Sequence, residues 1–351
     1  MPATLPPGAN PATWMLSACV TADADFAAAY RETKLCATNK ALTVEAMRPP
    51  EGYVPPTFES PYAVPVARQF PILLKRLLIS YWRGPAYNVA RGMVSIIVAL
   101  IFGSCYTRAR PEAIDTYSEV LGRIGLFFLA SFFMGIIFFS SALQQMAVER
   151  ASYYREKAAR MYHPLPYSIS FGVAETPYLV FFAGLHSALL WAVVDFYPGA
   201  ERFFFYFAYY LLYISFATFY AQFLVAALPD EGTAQTVGTA LLTLTSLVGG
   251  FTITPDNIPD YWITVYWLAP IHYSLEGIIV TQFHGADQEI SDLPGTPTVG
   301  RFTSSHWSDS HFGGEFAWSH RFQNIIVLII ICGVFRAGTL YALTFIDYTT
   351  R

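Results

Sequence analysis

Long windows without charge constrain this chain more than any other feature. Ile124–Val148, Thr176–Val194, Phe203–Pro229 and Gly232–Pro255 contain no Asp, Glu, Lys or Arg, and Gly84–Thr107 and Phe322–Ile346 contain one arginine each, Arg91 and Arg336. A bilayer core of roughly 30 Å takes about 20 helical residues at about 1.5 Å each. Inside lipid every backbone polar group must find an internal partner, and windows of this length are too long for single barrel strands. The windows therefore predict an all-α membrane protein with six spans. Composition agrees: 13% of the 351 residues are charged, where soluble domains carry about a quarter.

Tyr261–His284 is harder to place. It is rich in Trp, Tyr and Ile, is interrupted by Pro270 and carries His272 and Glu276; it reads as interfacial or re-entrant helices rather than a seventh span. Six spans put both ends on one face. Arg68, Lys75, Arg76 and Arg83 precede the first span, and Arg150, Arg155, Lys157 and Arg160 follow the second. The long segment Thr254–Arg321 has only Arg301 and Arg321 against eight acidic residues. The bias places both termini in the cytoplasm.

Residues 1–66 read as a soluble segment ending in a Pro-rich linker, Pro49–Pro65, and 67–351 as the membrane domain. Met1–Asn10 has no apolar stretch and does not resemble a signal peptide. Ala67–Trp82 places Phe70, Leu73, Leu74, Leu77 and Leu78 among cations, as in an amphipathic helix at the headgroup layer or against another cytoplasmic domain. Glu149–Pro164, dense in charge and aromatic residues, predicts a short amphipathic helix docking on a partner; a passive solvated loop is the alternative. Glu175 is an intramembrane carboxylate, either functional or paired with Arg91 or an inner cation. Pro177 beside it predicts a kink. The second span presents Phe127, Phe128, Phe132, Phe133, Phe138 and Phe139, and the fifth presents Thr239, Thr243, Thr245 and Ser246 ahead of Gly249, Gly250 and Phe251. These faces serve either helix packing and lipid contact or a wall for flat hydrophobic ligands.

Several chemistries are not encoded. There is no phosphate-binding loop of the Gly-x-x-x-x-Gly-Lys-Ser/Thr type, no Gly-x-Ser-x-Gly and no His-Glu-x-x-His, so no ATPase, hydrolase or metalloprotease site is expected. The four cysteines show no CxxC spacing, giving no metal or redox motif. The net charge of −4 gives no field for nucleic acid.

Certain strings resemble a known family. Asn10–Leu16 (Asn-Pro-Ala-Thr-Trp-Met-Leu) and Asp25–Tyr30 are similar to the segment after the second nucleotide-binding domain of pleiotropic drug resistance transporters, the full-length G-type ABC exporters. The resemblance continues through Gln69–Phe70, Glu149–Arg150, Tyr154–Glu156, Met161–Tyr162, Leu165–Ser168, Glu175–Tyr178 and Phe335–Arg336. Ser17 departs from the glutamate usual there. The resemblance implies a six-helix type-2 ABC exporter transmembrane domain with a re-entrant extracellular helical segment, and assigns Ala67–Trp82 as the connecting helix. Glu149, Arg150, Tyr154, Arg155, Glu156 and Arg160 would form the coupling surface. Phe132, Phe133, Ile136, Thr239, Thr243 and Ser246 would line the substrate cavity, with Phe251 near an outer gate. The implied function is ATP-driven export of hydrophobic small molecules such as xenobiotics or lipids at the plasma membrane. The implied partners are nucleotide-binding domains, which would supply ATP and Mg, a second transmembrane domain, and membrane lipid. The chain corresponds to the C-terminal quarter of such a transporter, as a fragment, a truncated gene product or a subunit. Export of lipids or glycans, or a non-transporting role in assembly, are the alternatives.

Overall fold

Proline opens four of the helices. In the computed structural model, α1 (Pro11–Thr21), α5 (Pro85–Tyr106), α7 (Pro164–Val194) and α11 (Pro270–Phe283) each begin on one. At the first helical position its missing N–H has no partner to lose and its φ is already helical. The other helices are α2 (Phe26–Arg31), α3 (Lys34–Ala46), α4 (Val66–Arg83), α6 (Tyr117–Ala158), α8 (Ala200–Ala227), α9 (Glu231–Leu247), α10 (Ile263–Leu268) and α12 (Arg321–Phe345). The structure describes residues 7–8, 10–21, 25–49, 52–54, 60–106, 117–194, 196–285, 289–290, 302–303, 312 and 316–348. Among them the only strand pairing is a two-residue antiparallel ladder, Glu289 opposite Thr303 and Ile290 opposite Phe302.

The chain divides into two compact units, Met1–Ser60 and Pro61–Arg351. The first holds α1–α3. Asp25 caps α2 through the amides of Ala27 and Ala28, both at 3.0 Å, and Thr33 caps α3 through Cys36 N–H at 3.1 Å. Each cap satisfies donors that a helix start leaves open.

The second unit is the membrane domain. Among the described residues five helices, α5, α6, α7, α8 and α12, are long and apolar enough to cross a bilayer. The fifth window, expected as a full span over Gly232–Pro255, is helical only as far as Leu247. Its 17 residues reach about 25 Å. Val248 caps its end, and Gly250 beyond it adopts φ +98°, open to glycine and costly for residues with a Cβ. Tyr261–His284 forms a broken pair, bent by 75° between Leu268 and Pro270. Counted as one span it would bring the total to six.

α8 is the centre of the bundle, packed against α6, α7, α11 and α12. Its face buries Tyr206, Tyr209, Tyr210, Tyr213, Phe216 and Tyr220, so aromatic area does much of the packing. α11 fits closely: a Cβ on Gly277 would stand 2.0 Å from the Tyr209 ring. α4 uses its apolar stripe on the domain's own α7, burying Gln69, Leu73, Leu77 and Tyr81 and exposing Ile72, Lys75, Ile79 and Trp82. Neither partner expected for this helix, headgroups or a separate domain, is needed for that face.

The segment Glu149–Pro164 corrects another expectation. It is not a separate short helix. α6 runs unbroken for 42 residues to Ala158, about 63 Å, and only residues 159–163 connect it to α7. Helix-forming residues fill 149–159 without Gly or Pro, so nothing stops α6 at the membrane surface. α7 likewise continues through Pro177 without interruption.

Candidate functional site

The α6–α7 turn closes by two backbone bonds, Met161 N–H to Glu156 O at 3.1 Å and Arg160 N–H to Lys157 O at 3.0 Å. This is the Schellman arrangement, whose pivot residue is usually glycine. Here it is Arg160, at φ +52°, a conformation uncommon for residues with a side chain. Arg155, Arg160 and Met161 are exposed. The other residues assigned to coupling are engaged inside the chain. Arg150 donates to the carbonyls of Val225, Leu228 and Pro229, each at 2.7 Å, closing the C-terminus of α8, where a cation also complements the helix dipole. Ser80 donates to Glu149 at 3.1 Å. Tyr154 packs half-buried against the core.

Glu156 receives Arg76 at 2.7 and 2.8 Å and the Tyr162 hydroxyl at 2.5 Å. Burial pulls the Arg76 guanidinium down, but Glu156 and Tyr162 outweigh it and hold the group above its ordinary range. Burial, then Glu156, pushes the Tyr162 phenol up. The sequence did not pair Arg76 with Glu156, because 80 residues separate them. Tyr153 donates to Leu343 O at 2.9 Å and Lys157 to Leu343 O and Thr344 O at 2.8 and 3.1 Å. The tip of α6 is thereby joined to α4, α8 and α12.

Deeper in the domain Glu175 pairs with Arg91, one of the partners the sequence offered. Tyr87 donates to the same carboxylate oxygen at 2.6 Å, and Arg91 donates to Ser141 Oγ at 2.7 Å and to Phe138 O at 3.3 Å. The guanidinium also lies 4.2 Å from the Tyr87 ring centre and 4.6 Å from that of Phe138. Both charged side chains are 1% exposed or less. This constellation ties α5 to α6 and α7.

The ligand-wall candidates fall into two groups. A groove of about 600 Å³ between α6 and α9 is lined by Phe128, Phe132, Thr239, Thr243, Ser246 and neighbouring residues. Phe133, Ile136 and Phe251 are not in this lining. Phe133 turns edge-on to Phe102 of α5, with ring centres 5.5 Å apart. Ile136 is half-buried. Phe251 stacks on Phe128 at 4.9 Å, and Phe128 on Phe132 at 5.9 Å, so it extends the aromatic row from the groove's end. Phe128 was noted in the sequence as part of the wall, but was not among the cavity candidates. Gln235 was missed; its amide donates to Ser140 Oγ and Thr239 Oγ1, both at 3.0 Å, joining the two helices.

The hydroxyls have a defined chemistry. Thr243 donates to Thr239 O at 2.9 Å and Ser246 to Leu242 O at 2.7 Å. A hydroxyl has one proton and two lone pairs, so these two retain only acceptor capacity. The groove offers aromatic faces and acceptors, suited to a flat apolar molecule with few acceptors of its own.

At the opposite end from the α6–α7 turn, His320 Nδ1 lies 3.0 Å from Glu276 Oε1, linking the start of α12 to α11. Among the described residues no cluster of three or more His, Cys, Asp or Glu could hold a metal ion.

Comparison with known proteins adds lineage to this geometry. Residues 68–283 match the family model described as ABC-2 type transporter. The chain is 30% identical over 344 residues to ABC transporter G family member 44 of Oryza sativa, covering 97% of this chain and 22% of the relative. It is 32% identical over 323 residues to G family member 36 of Arabidopsis thaliana, covering 89% and 22%, and 27% identical over 354 residues to member 31 of that plant, covering 98% and 24%. The chain thus spans about a fifth to a quarter of the length of these relatives. A bundle of bilayer-length helices and a family match over most of the membrane unit identify this chain as an integral membrane protein of the ABC-2 type transporter family, similar to the G-family ABC transporters.

Proposed function

We propose that this chain is the membrane-spanning part of an ATP-driven exporter of hydrophobic small molecules, of the pleiotropic drug resistance type. Nucleotide-binding domains outside residues 67–351 supply hydrolysis, and 1–66 is the segment joining one of them to the membrane domain. A second transmembrane domain completes the pathway. The protein resides in the plasma membrane with both termini in the cytoplasm, so the α6–α7 turn faces the nucleotide-binding domains.

The observation that carries this reading is the continuity of α6. One uninterrupted helix holds Phe128 and Phe132 in the groove and Arg155 at its exposed tip. Motion imposed at the tip therefore reaches the groove without passing through a joint, and the groove's affinity can differ between two states. A strained arginine where glycine is easier is consistent with a side chain retained for use.

In a full transporter carrying this domain, Arg160→Gly should relieve backbone strain and raise thermal stability by about 1 kcal/mol. It should also weaken the coupling of ATP hydrolysis to transport. Drug-stimulated ATPase that remains fully coupled in both Arg155→Ala and Arg160→Gly would remove the tip from the mechanism. Phe132→Ala and Thr243→Val should alter the ranking of planar substrates more than expression level. Equal responses across all substrates would remove the groove.

A further inference from the structure

Arg336 lies in the interior of α12, and none of the acceptors bonded to it is charged. It donates to Gln222 Oε1 at 2.5 Å, to Ser168 O, and to Ser168 Oγ at 3.3 Å, and it lies 5.2 Å from the centre of the Phe219 ring. Among the described residues it makes no ion pair, and its Nε donates to no acceptor. Gln222, fully buried, has an amide nitrogen without an acceptor beside it. Glu175 lies within electrostatic reach of this charge, but its Oε1 is bonded to Arg91 and Tyr87 and its Oε2 bonds to neither guanidinium. Two guanidinium groups therefore share one carboxylate at this end of the bundle. A cation without an ion-pair partner of its own among apolar helices is costly, and a further anion within reach would lower that cost.

The surroundings leave room for one. The guanidinium lines a cleft of about 380 Å³ between α7 and α12, walled by Ile169, Val173, Thr176, Phe219 and Leu340. Gly172 creates part of the space: a Cβ there would lie 2.9 Å from Arg336 Cζ. The rim is apolar and open, with Ile169 45% and Val173 43% exposed. On a helix long and apolar enough to span, such side chains meet acyl chains. Depth follows from α4. Ser170 donates to Phe70 O of α4 at 3.2 Å, so Ser168 and the guanidinium bonded to it lie near the level of that amphipathic helix, where headgroups begin.

We propose that this cleft is a lipid site, seating the phosphate of an anionic phospholipid from the leaflet at the α4 end, with its first acyl carbons along Ile169 and Val173. Arg336 supplies the charge and its unused donors. Basic pockets between membrane helices on one leaflet side commonly take such headgroups. The site is separate from the α6–α9 groove, and its occupant is a resident lipid rather than cargo.

The test uses the full chain purified in detergent, with native mass spectrometry counting retained lipid. Wild type should keep dioleoylphosphatidylglycerol at least about fivefold better than dioleoylphosphatidylcholine, as expected for a charge-assisted contact. Arg336→Gln should abolish that preference and Arg336→Lys should keep part of it. Ile169→Trp, at an exposed rim position, should block the cleft without touching the arginine's bonds and covers the case in which Arg336→Gln fails to fold. Equal retention of the two lipids by wild type, or an unchanged preference in Ile169→Trp and in folded Arg336→Gln, would overturn the proposal. Displacement of phosphatidylglycerol by millimolar inorganic phosphate would also overturn it, since the site would then belong to a free anion.

Discussion

Where water is absent, losing one member of an ion pair does more damage than losing both. Arg91 and Glu175 illustrate the point at the scale of single residues. Arg91→Met leaves a carboxylate buried at 0% exposure and should cost about 3–5 kcal/mol. The expected reading is a sharp fall in the thermal midpoint of the detergent-solubilised protein. Arg91→Met combined with Glu175→Gln should recover much of that loss, because no unpaired charge remains. A double variant no better than the single one would mean that the pair is held for geometry rather than charge balance. The pairing was partly legible in advance: Arg91 and Glu175 stood out as charges against apolar windows. The bond from Tyr87 to Glu175 and that from Arg91 to Ser141 could not be read, since they depend on how three helices rotate about their axes.

At the scale of elements, α9 is the informative case. Its start is fixed by Asp230, which accepts from Thr233 N–H at 2.8 Å and the Thr233 hydroxyl at 2.6 Å. Those bonds, the hydroxyl first, hold the Asp230 carboxyl below its usual range. A depressed carboxylate stabilises the fold above its unfolded pKa, and the contribution disappears as pH falls through the folded value. The stability gap between wild type and Asp230→Asn should therefore be constant near neutrality and shrink below about pH 4. A gap independent of pH down to about 3 would mean that Asp230 acts only as a neutral cap. The end of α9 is not legible because apolar residues continue past Leu247, whereas the helical backbone stops there, ahead of the positive φ at Gly250. The inner segment was misjudged the other way: its charges suggested a new element, yet the residues only prolong α6. Charge marks where lipid ends, not where a helix ends.

At the scale of the whole membrane unit, tryptophans stand at both ends of the bundle among the described residues. Trp82, 81% exposed, stands at the end of α4, and Trp191 and Trp318 lie near the end of α7 and just before α12. Tryptophan is favoured at bilayer boundaries. A variant retaining Trp82 alone should be quenched more strongly by lipids brominated near the carbonyl than near the acyl terminus. The reverse order would place α4 too shallow in this reading. The bilayer-spanning character of the chain was the most legible property of all, because it depends on composition along windows rather than on side-chain partners. The dimensions of α6 carry a mechanical consequence. A stiff rod of about 63 Å that tilts by only ~10° about its middle swings each end by about 5 Å, close to one helical turn. Under the proposed coupling it would act as a lever with its fulcrum among the spans: a small push at the α6–α7 turn would open or close the aromatic groove on the far side of the pivot, with no need for any part of the helix to unfold.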